Sequence, residues 1–141
     1  MKNFSKQFIY TITLFLAIGF TSCENSNEDI LETELTIEQK VALLEGSEWL
    51  LKGFETNVMH TFADGKRFTY YGSDSVFAED PIPDTQAYSV SGDLLIMDFN
   101  FGNIYTYELK VSCDNNIVEF YRDGELNSTL YKRDSNYQNC L

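Results

Sequence analysis

Few side chains in this sequence are placed to do chemistry. His60 is the only histidine of 141 residues. A general base needs a partner within hydrogen-bond reach, and no Ser/His/Asp or Cys/His pairing is legible around it. His60 shares a face with Val58 and Phe62 in a strand-like run, which reads as a packed core or rim position. The cysteines are Cys23, Cys113 and Cys140, and they lack the His/Cys clustering of a zinc site. Asp114-Asn115-Asn116 and Glu79-Asp80 read as solvated loops rather than calcium ligands. Glycines fall singly at turns, with no phosphate-cradling loop. The expectation is a protein that is not an enzyme, with no cofactor and no metal.

The charge balance narrows the partners. Formal net charge is −12 and the only adjacent basic pairs are Lys66-Arg67 and Lys132-Arg133. Phosphate backbones require clustered cations, so nucleic acid is excluded as a partner. Adsorption onto anionic lipid by charge is disfavoured for the same reason. Eleven Phe, nine Tyr and one Trp supply large side chains to bury, enough for the core of one domain.

Residues 1–22 have the layout of a signal peptide. Lys2 and Lys6 precede the apolar run Phe8–Phe20, and the small polar Thr21 and Ser22 precede Cys23. The apolar stretch is short for a span, which takes about 20 residues. Phe20-Thr21-Ser22-Cys23 resembles the bacterial lipobox, with Phe20 where an aliphatic residue is usual. The resemblance implies diacylglycerol transfer to the Cys23 sulfur, cleavage before Cys23 and acylation of the new amine. Several acyl chains hold a protein on a bilayer where one does so only marginally. Residues 23–35, opening Cys23-Glu24-Asn25-Ser26-Asn27-Glu28-Asp29, are acidic and aperiodic, the composition of a flexible tether. Acids directly behind a lipidated cysteine resemble the surface-export signal of some Gram-negative lipoproteins. The implied location is the outer membrane, with the cell surface favoured over the periplasmic face. Cleavage removes Lys2 and Lys6 and takes the formal charge from −12 to −14.

If Cys23 is acylated, two thiols remain. An oxidising compartment allows Cys113 and Cys140 to pair, tying down the tail 134–141. Two separate thiols are the alternative.

The elements follow from periodicity. Thr36-Ile37-Glu38-Gln39 has the pattern of a capping box, and Ile37, Val41 and Leu44 follow at helical spacing. A short helix is expected over about 36–45, ending at Gly46. From Ser47 the period becomes two. Asp64-Gly65, Gly92-Asp93, Gly102-Asn103, Asp114-Asn115-Asn116 and Asp123-Gly124 punctuate runs of alternating residues. The pattern predicts about eight short antiparallel strands over 36–141. A polar loop spans 72–85, with a short strand near Val76-Phe77. A meander of this kind removes its exposed edges by closing into a barrel.

At this level the chain resembles the small lipocalin-like lipoproteins of Gram-negative bacteria. The resemblance is carried by Leu43-Leu44-Glu45-Gly46-Ser47-Glu48-Trp49-Leu50, by Phe62-Ala63-Asp64-Gly65-Lys66-Arg67-Phe68, by Tyr88-Ser89-Val90-Ser91-Gly92-Asp93-Leu94-Leu95 and by Leu130-Tyr131-Lys132-Arg133. It covers about residues 40–133 and implies an all-β, up-and-down lipocalin-like barrel with a short N-terminal helix. It also implies that an arginine of the last strand packs over the first-strand Trp49. Arg133 is the first candidate and Arg122 the second, both as structural residues. Lipocalins proper carry Gly-x-Trp, whereas Gly46 and Trp49 stand three apart here. Asp74-Ser75-Val76 resembles the Asp-Ser/Thr-aliphatic acceptor of bacterial O-glycosylation, which makes Ser75 a candidate.

The aromatic alternation supplies the ligand-site expectation. Tyr70, Tyr88, Phe99, Tyr105, Tyr107 and Phe120 are expected to point inward. Eight strands enclose a barrel that is either filled by side chains or holds one small molecule. An apolar interior with a phenolic rim would suit a small hydrophobic or sugar-like ligand. The alternative is an envelope interaction module that engages a protein or glycan through its outer surface.

Overall fold

The computed structural model describes residues 34–141. The signal segment 1–22, Cys23 and the tether, all but Glu34 and Leu35, lie outside the described residues.

Helix α1 spans Ile37–Glu45. Its capping box is formed: Gln39 N–H donates to Thr36 Oγ1 at 3.4 Å, and Thr36 N–H donates to Gln39 Oε1 at 2.9 Å. Two otherwise orphaned amides are thereby satisfied. Nine strands follow: β1 Trp49–Leu51, β2 Val58–Ala63, β3 Lys66–Ser73, β4 Val76–Phe77, β5 Gln86–Ser91, β6 Leu94–Asp98, β7 Ile104–Ser112, β8 Ile117–Arg122 and β9 Glu125–Lys132. All pairings are antiparallel. β1 joins both β2 and β9, and β3 joins β5, so β1–β3 and β5–β9 close an eight-stranded up-and-down barrel. The expected all-β barrel with one short helix is the observed fold. β4 stands outside the ring as a flap, paired among the described residues only to β3. A Cβ at Gly72 would run into the Val76 carbonyl and the Phe77 ring, so only glycine lets the flap fold back.

The barrel is asymmetric along its length. α1 lays Ile37 and Leu44 onto Trp49, Phe62, Leu95, Leu109 and Val118, and together these fill one end. Trp49 is 0% exposed and its indole N–H donates to Leu44 O at 3.0 Å. Lys40 is buried at the same end, where its ammonium donates to Leu109 O and Glu34 Oε1, both at 2.8 Å. The Lys40 ammonium holds the Glu34 carboxyl below its usual pKa. A buried ammonium needs such partners, because an unpaired one is costly.

A second apolar cluster lies outside the barrel wall. Ile117, Tyr131 and Tyr137 are buried there, with Leu50 and Cys113 against them. Tyr137 comes from the C-terminal 3₁₀ turn Tyr137–Cys140 and stacks on Tyr131 at 4.3 Å. The turn is tied back by a disulfide between Cys113 and Cys140, whose Cα atoms are 6.0 Å apart. Of the two readings of these thiols, pairing is the one observed.

Arg133 departs from its expected place. Its guanidinium lies 5.3 Å from the Phe77 ring centre and donates to Glu48 Oε2 at 2.8 Å. Lys132, rather than Arg133, is the direct partner of Trp49, so Arg133 falls on the outer wall. There it covers Met59 under the β4 flap instead of stacking on Trp49. Arg122 lies 4.6 Å over Tyr105.

Candidate functional site: a cavity in the barrel

The half of the barrel away from α1 is hollow. A cavity of about 700 Å³ reaches the end that carries the β1–β2 loop, the segment before β5 and the β6–β7 loop. Its apolar wall includes Leu51, Met97, Phe99, Tyr107, Phe120 and Leu130. Pockets of this size and lining accommodate small organic ligands.

The cross-strand register decides which β3 residues enter it. Asp64 and Gly65 both have positive φ, 50° and 70°, and form the two-residue hairpin turn. That turn fixes Ala63 opposite Lys66, and hence Phe62 opposite Arg67, His60 opposite Thr69 and Val58 opposite Tyr71. Direct partners share a face. Because His60 and Phe62 face inward, Arg67 and Thr69 must do so as well. Tyr70 therefore faces outward, beside Val76 and Phe77.

The six aromatic residues expected inside divide by position. Phe99, Tyr107 and Phe120 line the cavity. Tyr107 meets Phe120 edge-on at 5.8 Å and Phe99 at 6.5 Å. Tyr88 is on the inner side but at the α1 end, edge-on to Phe62 at 5.8 Å and donating to Glu45 Oε1. Burial, then the Glu45 carboxylate, raise its phenol well above the ordinary tyrosine range. Tyr105 is exposed at the rim, under the Arg122 guanidinium and beside Phe99 at 5.7 Å. Tyr70 is excluded by the register. Phe99 follows the end of β6, where Asp98 Oδ1 accepts from Asn100 N–H at 2.8 Å and turns the chain.

A polar strip crosses the apolar wall, and the aromatic pattern gave no sign of it. His60 is 5% exposed, with Nδ1 3.0 Å from Thr69 Oγ1. Burial first, and the positive charge of Arg67 second, push its pKa down to about 3. His60 is thus a neutral imidazole at ordinary pH. Arg67 is half-buried, donates from Nε to Gln86 Oε1 at 3.2 Å, and lies 5.0 Å over Phe99. Gln86 in turn donates to Asp84 O at 3.1 Å. Desolvation lowers the pKa of Arg67, although a guanidinium stays charged. Burial raises the Tyr107 phenol, with Arg122 and Arg67 acting against that shift.

The rim is unusually apolar. Phe54, Tyr71, Ile104 and Leu126 are exposed there, and Phe101 at the β6–β7 turn is 98% exposed. Ser75 occupies the exposed β3–β4 turn. Among the described residues, no three His, Cys, Asp or Glu side chains group as metal ligands. No described helix is long and apolar enough to cross a membrane. No family model, curated protein or solved structure matches the chain.

Proposed function

We propose that the protein is a lipid-anchored, lipocalin-like binding protein that holds a small, mainly apolar molecule in the open half of its barrel. The observation that carries this reading is the 700 Å³ cavity, apolar along most of its wall and open at one end. An open pocket of this size with a mainly apolar wall has the dimensions of a small-molecule site. The anchoring half of the reading rests on Phe20-Thr21-Ser22-Cys23 and the acidic stretch behind it. Acylated Cys23 would hold the barrel at the outer membrane of a Gram-negative cell, with the acids after it favouring the surface.

Native mass spectrometry tests the binding half. Protein released from its own envelope in a non-denaturing detergent should carry a stoichiometric small-molecule adduct. A uniformly ligand-free mass, unchanged after incubation with apolar alcohols, contradicts the reading.

A second reading is supported by the rim. Phe101 and Ile104 expose an apolar hairpin tip, and such surfaces often mark contacts with other molecules. In that case the barrel would serve as an interaction module for another envelope protein or a glycan. Substitution of Phe101 with serine should then abolish partner capture without affecting small-molecule binding.

A further inference from the structure

The geometry points to an apolar carboxylic acid as the ligand, its carboxylate paired with Arg67 inside the cavity. The inference rests on the ligand-binding reading above and names the head group that the cavity would select.

Among the described residues, Arg67 is the one Lys or Arg side chain in the cavity wall. Its Nε–H is used by Gln86, while its two terminal amino groups have no protein acceptor among the described residues. No described carboxylate lies within 4 Å of it: the ion pairs engage Lys40, Lys110 and Arg133 instead. This is unexpected in a chain with 22 acidic and 10 basic residues. Withdrawing a cation from water is costly unless an anion and hydrogen bonds compensate it. Phe99 offers its ring face and Gln86 one oxygen, but neither supplies negative charge. The unused edge of a guanidinium is a planar fork that matches a carboxylate bidentately.

The surroundings fit that head group. Phe99, Tyr107, Phe120, Met97 and Leu130 give the body of the acid an apolar bed. His60 is neutral and adds no competing charge. Arg122 stands over Tyr105 at the rim and adds positive potential on the Tyr107 side. The acidic group in the cavity wall is Asp84, exposed at the mouth, where its Oδ1 accepts from Asn100 Nδ2 at 2.6 Å. Among the described residues, Asp84 makes no ion pair with Arg67.

The test compares dodecanoate with dodecanol, which share a chain and differ in the head group. Calorimetry on the mature protein should show dodecanoate binding at least about tenfold more tightly, which corresponds to one charge-assisted contact. Arg67→Met should erase that preference, bringing the two affinities together. Arg67→Lys, which keeps the charge but loses the fork, should fall between. Equal affinity for acid and alcohol in the unaltered protein overturns the inference while leaving the ligand-binding reading intact. So does a preference that survives Arg67→Met, since the guanidinium would then only roof Phe99. Failure of both probes to bind overturns the ligand-binding reading, and this inference with it. The comparison in the unaltered protein needs no variant and decides the matter even if the Arg67 substitutions fold poorly.

Discussion

Phe62 and Arg67 are direct cross-strand partners on either side of the Asp64-Gly65 turn. The most apolar and the most polar residues of this hairpin therefore enter the same interior. Phe62 belongs to the filled end and Arg67 to the hollow one. The barrel thus combines a solid half that supplies stability with a hollow half that carries a charge.

The neighbour of that charge gives a pH signature. His60 has a folded pKa of about 3 against an ordinary 6.5. Between those values the unfolded chain takes up a proton that the native chain refuses. Stability should therefore fall as pH drops below 6.5 and level off near pH 3, by up to about 1.4 kcal/mol per pH unit from this group. Denaturant midpoints measured across that range will show it. In His60→Gln the slope should flatten, and an unchanged slope would assign it to other groups.

The disulfide gives a stability prediction. Cys113 and Cys140 are 27 residues apart, and closing such a loop stabilises by about 3–4 kcal/mol in the chain-entropy picture. Replacing both with serine should lower stability by about that amount and expose Tyr131 and Ile117. The barrel should survive, because the tail packs on its outer wall. Loss of the far-ultraviolet strand signal would show that the tail is required for closure.

Thr129 gives the opposite sign. Its hydroxyl is buried without a hydrogen-bond partner among the described residues, and such a group costs about 1–3 kcal/mol. Thr129→Val keeps the shape and removes the unpaired hydroxyl, so the unfolding midpoint should rise. A fall would reveal that a bound water satisfies the hydroxyl.

Ser128 lines the cavity opposite Phe120. A tryptophan at this position should fill much of the hollow and weaken small-molecule binding by at least about tenfold. The midpoint of unfolding should stay within a few degrees. Undiminished binding would place the ligand elsewhere.

Cys23 carries the anchoring prediction. Cys23→Ala should leave the membrane fraction and incorporate no labelled fatty acid. A variant that stays membrane-bound with residues 1–22 attached would contradict acylation.

Much of the fold was legible because local signals agreed. Thr36 with Gln39 marked the start of α1, and Asp64-Gly65 and Asp123-Gly124 marked two of the hairpin turns. The ligand site was only half legible. Phe99, Tyr107 and Phe120 followed from alternation. Tyr70 did not, because hydrophobicity places Phe68 and Tyr70 inside β3 whereas pairing across the hairpin places Arg67 and Thr69 there. The turn at Asp64-Gly65 already implied that pairing once His60 and Phe62 were set inward, so the missed signal was register rather than composition. Tyr88 and Tyr105 have the inward side right, but nothing local tells how far along the barrel a residue stands, and α1 and the rim claim them instead. Arg133 shows the same limit: the single step from Lys132 at the end of β9 to Arg133 separates the inner wall from the outer.

We propose that the hollow half of the barrel holds a small molecule. Backbone and methyl chemical shifts of the mature protein, followed through a titration with dodecanol, test it most directly. Saturable changes should concentrate at Leu51, Thr69, Met97, Tyr107, Phe120 and Leu130. Changes confined to the outer positions Val76, Phe101 and Ile104, or no saturable change at all, would contradict it.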